Sequence, residues 1–237
     1  MSISQKAIND FQARQAPTLQ KLRYMGVKLT DSGEVGIQGL TSRSQNLKRV
    51  CEQALREVTN TGANIVRVHG DRTIDDTART IRAGNLAQKS YKSVKAAFDR
   101  EWDAGVDELV DMRQRLAKTW QPPSSAGQAQ VDAELRALLR TMSEADRMSA
   151  VRTDPEFAAA AARGNPALSG LAKEFHTTIR NTYAARVEPD LAAQAADLEQ
   201  ALYGANEAIS SLQEDLKGIS DVQSAEALQR GSTADLV

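Results

Sequence analysis

From Leu191 to Ile219 the chain places an apolar residue at alternating steps of four and three: Leu191, Ala195, Leu198, Leu202, Ala205, Ile209, Leu212, Leu216 and Ile219. A period of about 3.5 residues keeps a narrow apolar seam on one side of a single continuous helix. Such a seam must be covered, either by other helices of the same chain or by another subunit. Its flanking positions carry Ala192, Gln194, Glu199, Ala201, Asn206, Ala208, Gln213 and Asp215 rather than complementary Glu and Lys. Charge therefore does little to select a partner helix, and the small residues suit close packing inside a bundle. The interaction seam expected from this pattern is Leu191, Leu198, Leu202, Ile209, Leu212 and Leu216, with intramolecular and intersubunit covering both open.

The rest of the chain supports the same fold class. Of 237 residues, 41% are hydrophobic but only 4% are aromatic, and much of the apolar content is alanine, which points to a thin, helix-rich core. We expect a mainly α-helical, elongated bundle with coiled-coil character and one small β-hairpin near the N-terminus. The hairpin is read from Val27-Lys28-Leu29-Thr30 and Glu34-Val35-Gly36-Ile37 around Asp31-Ser32-Gly33. Two short helices, from Ser2 and from Pro17 to Gly26, precede it.

Ser42 with Gln45 forms a capping box for a helix carrying Leu47, Val50, Cys51, Ala54, Leu55 and Val58 and ending near Asn60 or Gly62. Ile65-Val66-Arg67-Val68 then reads as a short strand or a buried connector. A long helix is expected from Thr73 to Trp120, with the glycines at 84 and 105 as places where it bends or breaks. Pro122 to Gly127 reads as a linker.

Shorter helices follow: one around Val131, Leu135, Leu138 and Leu139; one started by Ser143; one by Asp154 with Pro155 in its first position. A turn at Asn165-Pro166 and a helix lined by Leu171, Phe175, Ile179 and Tyr183 lead to Pro189 and the heptad helix. The organisation expected is thus 1–40, N-terminal helices and hairpin; 41–121, long-helix region; 122–127, linker; 128–219, C-terminal helices; and 220–237, a fraying tail.

Chemistry is harder to find. Lysine and arginine (30) balance aspartate and glutamate (31), so net charge points to neither nucleic acid nor an anionic membrane. No run is apolar enough to span a membrane, and the N-terminus lacks a signal-peptide core, so a cytoplasmic location is expected. His69 with Asp71, Asp75 and Asp76 is compatible with a metal or acid/base site, but a helix start explains the aspartates. His176 reads as a solvated or core-edge residue. Cys51 lies on an apolar face and reads as a buried thiol. No cofactor, metal or catalytic residue is assigned, and the chain is read as a non-enzyme.

One charge pattern resists a purely local account. Arg79, Arg82, Lys89, Lys92, Lys95 and Arg100 occupy the first half of the long helix, whereas Glu101, Asp103, Asp107, Glu108 and Asp111 occupy the second. This order opposes the helix-dipole preference. Solvated faces, antiparallel pairing with a second copy, and a basic stripe on phosphates are the three readings it allows.

The stretch from Asp154 to Leu171 has only a general likeness to small helical bacteriophage proteins, with no motif residue to carry across. The expected function is structural: an assembly protein, homo-oligomeric or joined to other assembly subunits, of the kind found in a virion. A nucleic-acid-binding or adaptor module using residues 79–100 is the alternative.

Overall fold

The computed structural model describes residues 41–163, 165–220 and 224–228. The two N-terminal helices and the hairpin expected before Gly39 lie outside them. The described residues are mostly helical and contain no strand. Contacts group the described residues into two compact units, one within 1–106 and 197–237, the other within 107–196.

Among the described residues the first unit is built mainly from α1 (Ser42–Gly70), the N-terminal part of α2 (Asp76–Lys118) and the C-terminal part of α7 (Pro189–Ile219). Helix α1 starts one residue earlier than the capping box suggests, because the Thr41 hydroxyl accepts the Ser44 N–H at 3.0 Å. It also runs straight through Asn60 and Gly62, and Ile65-Val66-Arg67-Val68 is helical, neither strand nor connector. The reason is burial: Leu47, Cys51, Ala54, Leu55, Val58, Gly62 and Ile65 form one continuous buried line at helical spacing. Burying Ile65 contributes about 2 kcal/mol, more than its β-branched helix penalty of a few tenths.

Helix α2 likewise continues through both glycines. At position 105 an added Cβ would sit 3.0 Å from Leu202 Cδ2 on α7, so this glycine permits close helix approach rather than a bend. Polar contacts tie the same helices together. Arg43 Nη1 meets Glu101 Oε2 at 2.8 Å, the Thr41 N–H donates to Asp197 Oδ2 at 3.3 Å, and the Ser93 hydroxyl lies 3.3 Å from Glu57 Oε2. Beyond α7, residues 224–228 are helical, with Ala225 buried and Gln88 Nε2 donating to Glu226 Oε1 at 3.2 Å.

The second unit is built around an alanine helix. Helix α5 (Pro155–Ala162) packs on α3 (Ala126–Thr141), α4 (Glu144–Thr153) and α6 (Lys173–Val187). With Ala160, Ala161 and Ala162 fully buried, small side chains let the three neighbours approach one short helix. Leu139, Val151, Leu171, Ile179 and Tyr183 complete the core, with Phe157, Phe175 and Trp120 packed against it.

The caps expected from sequence are found here. Ser143 accepts from the Asp146 N–H, Asp154 from those of Glu156 and Phe157, and Asn165 from that of Ala167 ahead of a 3₁₀ turn (Pro166–Ser169). The open C-terminus of α5 is closed by arginines, since its last carbonyls have no helical donor. Arg136 Nη1 donates to Ala160 O at 3.1 Å and Arg180 Nε to Ala162 O at 3.3 Å.

The face of α3 differs from the sequence expectation. Val131 and Leu138, placed on the buried line, are 45% and 51% exposed. Leu139 is buried and Leu135 half-buried as expected, and Asp132 joins them on the buried line. The alanines of α5 leave room for a polar side chain there, and Arg163 supplies a charge to meet it.

Candidate functional site

Every residue of the sequence-derived seam, Leu191, Leu198, Leu202, Ile209, Leu212 and Leu216, is buried within the single chain. So are Ala201, Ala208 and Asp215 along one flank. A coiled-coil dimer buries two positions per heptad; a third buried row is the signature of a helix packed in a bundle. The chain itself covers this seam.

Most charged residues of α2 face outward, whereas Glu101 turns to Arg43 of α1 and Glu108 is half-buried. Arg82, Lys89, Lys92, Lys95 and Arg100 are exposed, and Arg79 is half-buried. Arg79 pairs with Asp76 at 2.6 Å, and Lys95 Nζ with both carboxylate oxygens of Asp99 at 2.7 and 2.8 Å. The hydrogen bond to Asp99 holds the Lys95 ammonium above its usual pKa. Asp103, Asp107 and Asp111 are exposed as well. At 100° per residue, Arg82, Lys89, Arg100, Asp103, Asp107 and Asp111 fall within an arc of about 80°. The basic and acidic halves thus share one stripe, with Ser93 and Ala96 between them. Tyr91 is half-buried, so the basic half presents no exposed ring for base stacking.

The aspartates near His69 are occupied by local structure, whereas His69 Nε2 is buried without a hydrogen-bond partner. Asp71 Oδ1 accepts from the Thr73 N–H at 2.9 Å and from its hydroxyl at 2.6 Å, and these bonds lower the Asp71 pKa. Asp75 Oδ1 accepts the Ala78 N–H at 2.7 Å, capping α2. Burial and then the Arg79 charge push the His69 pKa down, favouring the neutral ring. Among the described residues no group of three His, Cys, Asp or Glu side chains converges as metal ligands would. His176 Nε2 is 3.0 Å from Leu171 O, next to the core of the second unit.

Cys51 is buried, and that burial, with Glu52 nearby, pushes its thiol up to about 12. In native protein the thiol should react with a disulfide reagent only through unfolding, and at the unfolding rate, whereas denatured protein should react at once. Because the folded pKa lies above the ordinary 9.0, the unfolded chain ionises first. This thiol therefore costs stability as pH rises from about 9 toward 12, and a Cys51→Ala variant should lose less stability across that window in urea titrations.

A polar cleft in the second unit was not anticipated. It has a volume of about 470 Å³ and is walled by α3, α5, α6 and Arg163. At its lining Asp132 is only 1% exposed. Gln128 Nε2 donates to Asp132 Oδ1 at 2.9 Å, and Arg163 Nη1 stands 3.6 Å from the same oxygen. Arg163 Nη2 donates to the Tyr183 hydroxyl at 2.9 Å. Asp132 Oδ2 is buried and has no hydrogen-bond partner. The signal available in the sequence was an acid four residues after Gln128 and seven before Leu139, which puts it on the core stripe.

No helix among the described residues is long and apolar enough to cross a membrane. The chain matches no protein-family model, no curated protein and no solved structure.

Proposed function

We propose that this chain is a non-enzymatic assembly protein that associates with a second copy through the exposed stripe of α2, as a subunit of a larger particle such as a virion. The observation that carries this reading is the line of outward charges, basic then acidic, on one face of one helix. An antiparallel copy sets Arg82 against Asp111 and Lys89 against Asp103, while the small residues Ser93 and Ala96 stand near the crossing. The twofold axis makes each pair twice. Exposed pairs contribute about 0.2–1 kcal/mol each, so this contact is weak alone and salt-sensitive, and it acts in register selection and multivalent assembly.

Charge swapping tests it. By sedimentation equilibrium at low salt, the native chain should self-associate, and added salt should dissociate it. Arg82→Glu with Lys89→Glu should give a monomer. Adding Asp103→Lys and Asp111→Lys should restore association, because both partners of the two pairs then have reversed sign. A monomer at every salt concentration, or a fourfold variant that stays monomeric, overturns the proposal.

The exposure of Arg82, Lys89, Lys92 and Arg100 favours one second reading, a stripe that contacts nucleic-acid phosphates. Under that reading polynucleotide binding falls with salt and with the twofold reversal, and the acidic-half changes do not rescue it.

A further inference from the structure

We infer that the cleft between α3 and α5 of the second unit binds a primary ammonium group on an apolar stem, with Asp132 Oδ2 as its acceptor. This inference is independent of self-association through α2. It starts from two observations that meet at one residue: Asp132 lines a cavity of ligand size, and its Oδ2 is buried without a donor. Leaving such an acceptor unmet is costly in a low-dielectric interior, and a donor entering the cleft removes that cost.

The chemistry of the walls selects the ligand. Both cations of the cleft are already engaged: Arg163 with Tyr183 and Asp132 Oδ1, and Arg186 through the Arg152 carbonyl. The unmet acceptor is Oδ2 of Asp132, one of the lining residues, and Glu156 adds an exposed carboxylate to the same lining. The two arginines and two carboxylates of the lining balance in charge, and the unmet buried acceptor draws in donors.

A guanidinium gains most from two parallel acceptor oxygens, but Gln128 holds Asp132 Oδ1. One free oxygen suits the point charge of an ammonium. Around it, Val131 and Val187 are 45% and 48% exposed and line the same cleft with Leu135 and Ala159. These apolar surfaces match a methylene stem. A free alkylamine and a lysine side chain of another polypeptide both present that group.

Saturation-transfer NMR on the full chain, with n-butylammonium, 1,5-diaminopentane and N-acetyl-lysine methylamide as probes and n-butanol as the neutral control, tests the assignment. Millimolar binding of the ammonium probes is expected, with n-butanol at least about tenfold weaker, since a charge-assisted bond to a buried carboxylate is lost. Asp132→Asn should weaken the ammonium probes by a similar factor. Val131→Trp, at an exposed position of the wall, should also weaken them and decides the matter should the Asn variant not fold. Tighter binding of the capped lysine supports the assignment with a polypeptide as source; tighter binding of the simple amines supports it with a free amine. Equal binding of butanol and butylammonium, no binding of any amine, or unchanged binding in folded Asp132→Asn overturns it.

Discussion

Leu202→Asp combined with Ile209→Asp is expected to unfold the first unit rather than to release a folded monomer. The two side chains are 5% and 2% exposed, and Leu202 Cδ2 lies where a Cβ on Gly105 would be within 3.0 Å. Loss of each large apolar group costs about 2–5 kcal/mol, and an unpaired buried carboxylate adds several more. Two such changes consume the roughly 5–15 kcal/mol by which a domain is stable. Circular dichroism should show a large loss of helix at 25 °C, with no cooperative melt remaining for this unit. A well-folded, cooperatively melting monomer would instead mean that the seam is an intersubunit surface.

The second large effect is expected at Arg147, which closes the second unit by donating to Leu139 O at 2.8 Å, Met142 O at 3.0 Å and Gly170 O. One guanidinium thereby satisfies the end of α3 and fastens the 3₁₀ turn to it. Charge-assisted bonds of this kind contribute about 1.5–3 kcal/mol each, so Arg147→Ala should cost about 3–5 kcal/mol after partial replacement by water. Gly170→Val attacks the same joint from the other side. Its φ is +69°, and an added Cβ would stand 3.2 Å from Arg147 Cζ and Nη1. Strain in the left-handed region adds about 1–3 kcal/mol for a β-branched residue. In hydrogen exchange read by mass spectrometry, both variants should lose protection over residues 136–171 and keep that of 47–65. Unchanged exchange near Leu139 in Arg147→Ala would show that this clamp does not hold the joint.

Local chemistry made several elements legible. Ser143, Asp154 with Pro155, and Asn165 each carry a side-chain acceptor that reaches a backbone N–H two or three residues on, so a cap needs nothing from the rest of the fold. The heptad line was equally plain, because its period is a property of one helix. Where the reading failed, a distant residue decided. Ile65-Val66-Arg67-Val68 has strand-like composition, yet it is helical because Ile65 extends the buried line of α1. Gly105 looks like a breaker and is a contact point, since the absence of a Cβ matters only once Leu202 lies opposite.

The candidate sites divide in the same way. The charges of α2 could be counted and placed on one stripe from sequence, because helical periodicity alone sets their direction. Asp132 could not be found so easily. On α3 two apolar rows, through Val131 and Leu138 and through Leu135 and Leu139, compete for the core, and spacing alone does not choose between them.

What the sequence by itself determined is therefore the helical class, the helix caps of the second unit, the heptad seam and the polarity of the α2 stripe, all of which rest on spacings shorter than a few turns. Only the tertiary structure decided that the seam is covered within the chain, that Gly105 is a close approach, and that Asp132 is buried in a cleft. Those outcomes depend on which surfaces meet, and one helix carries no information about the side chains that will arrive opposite it.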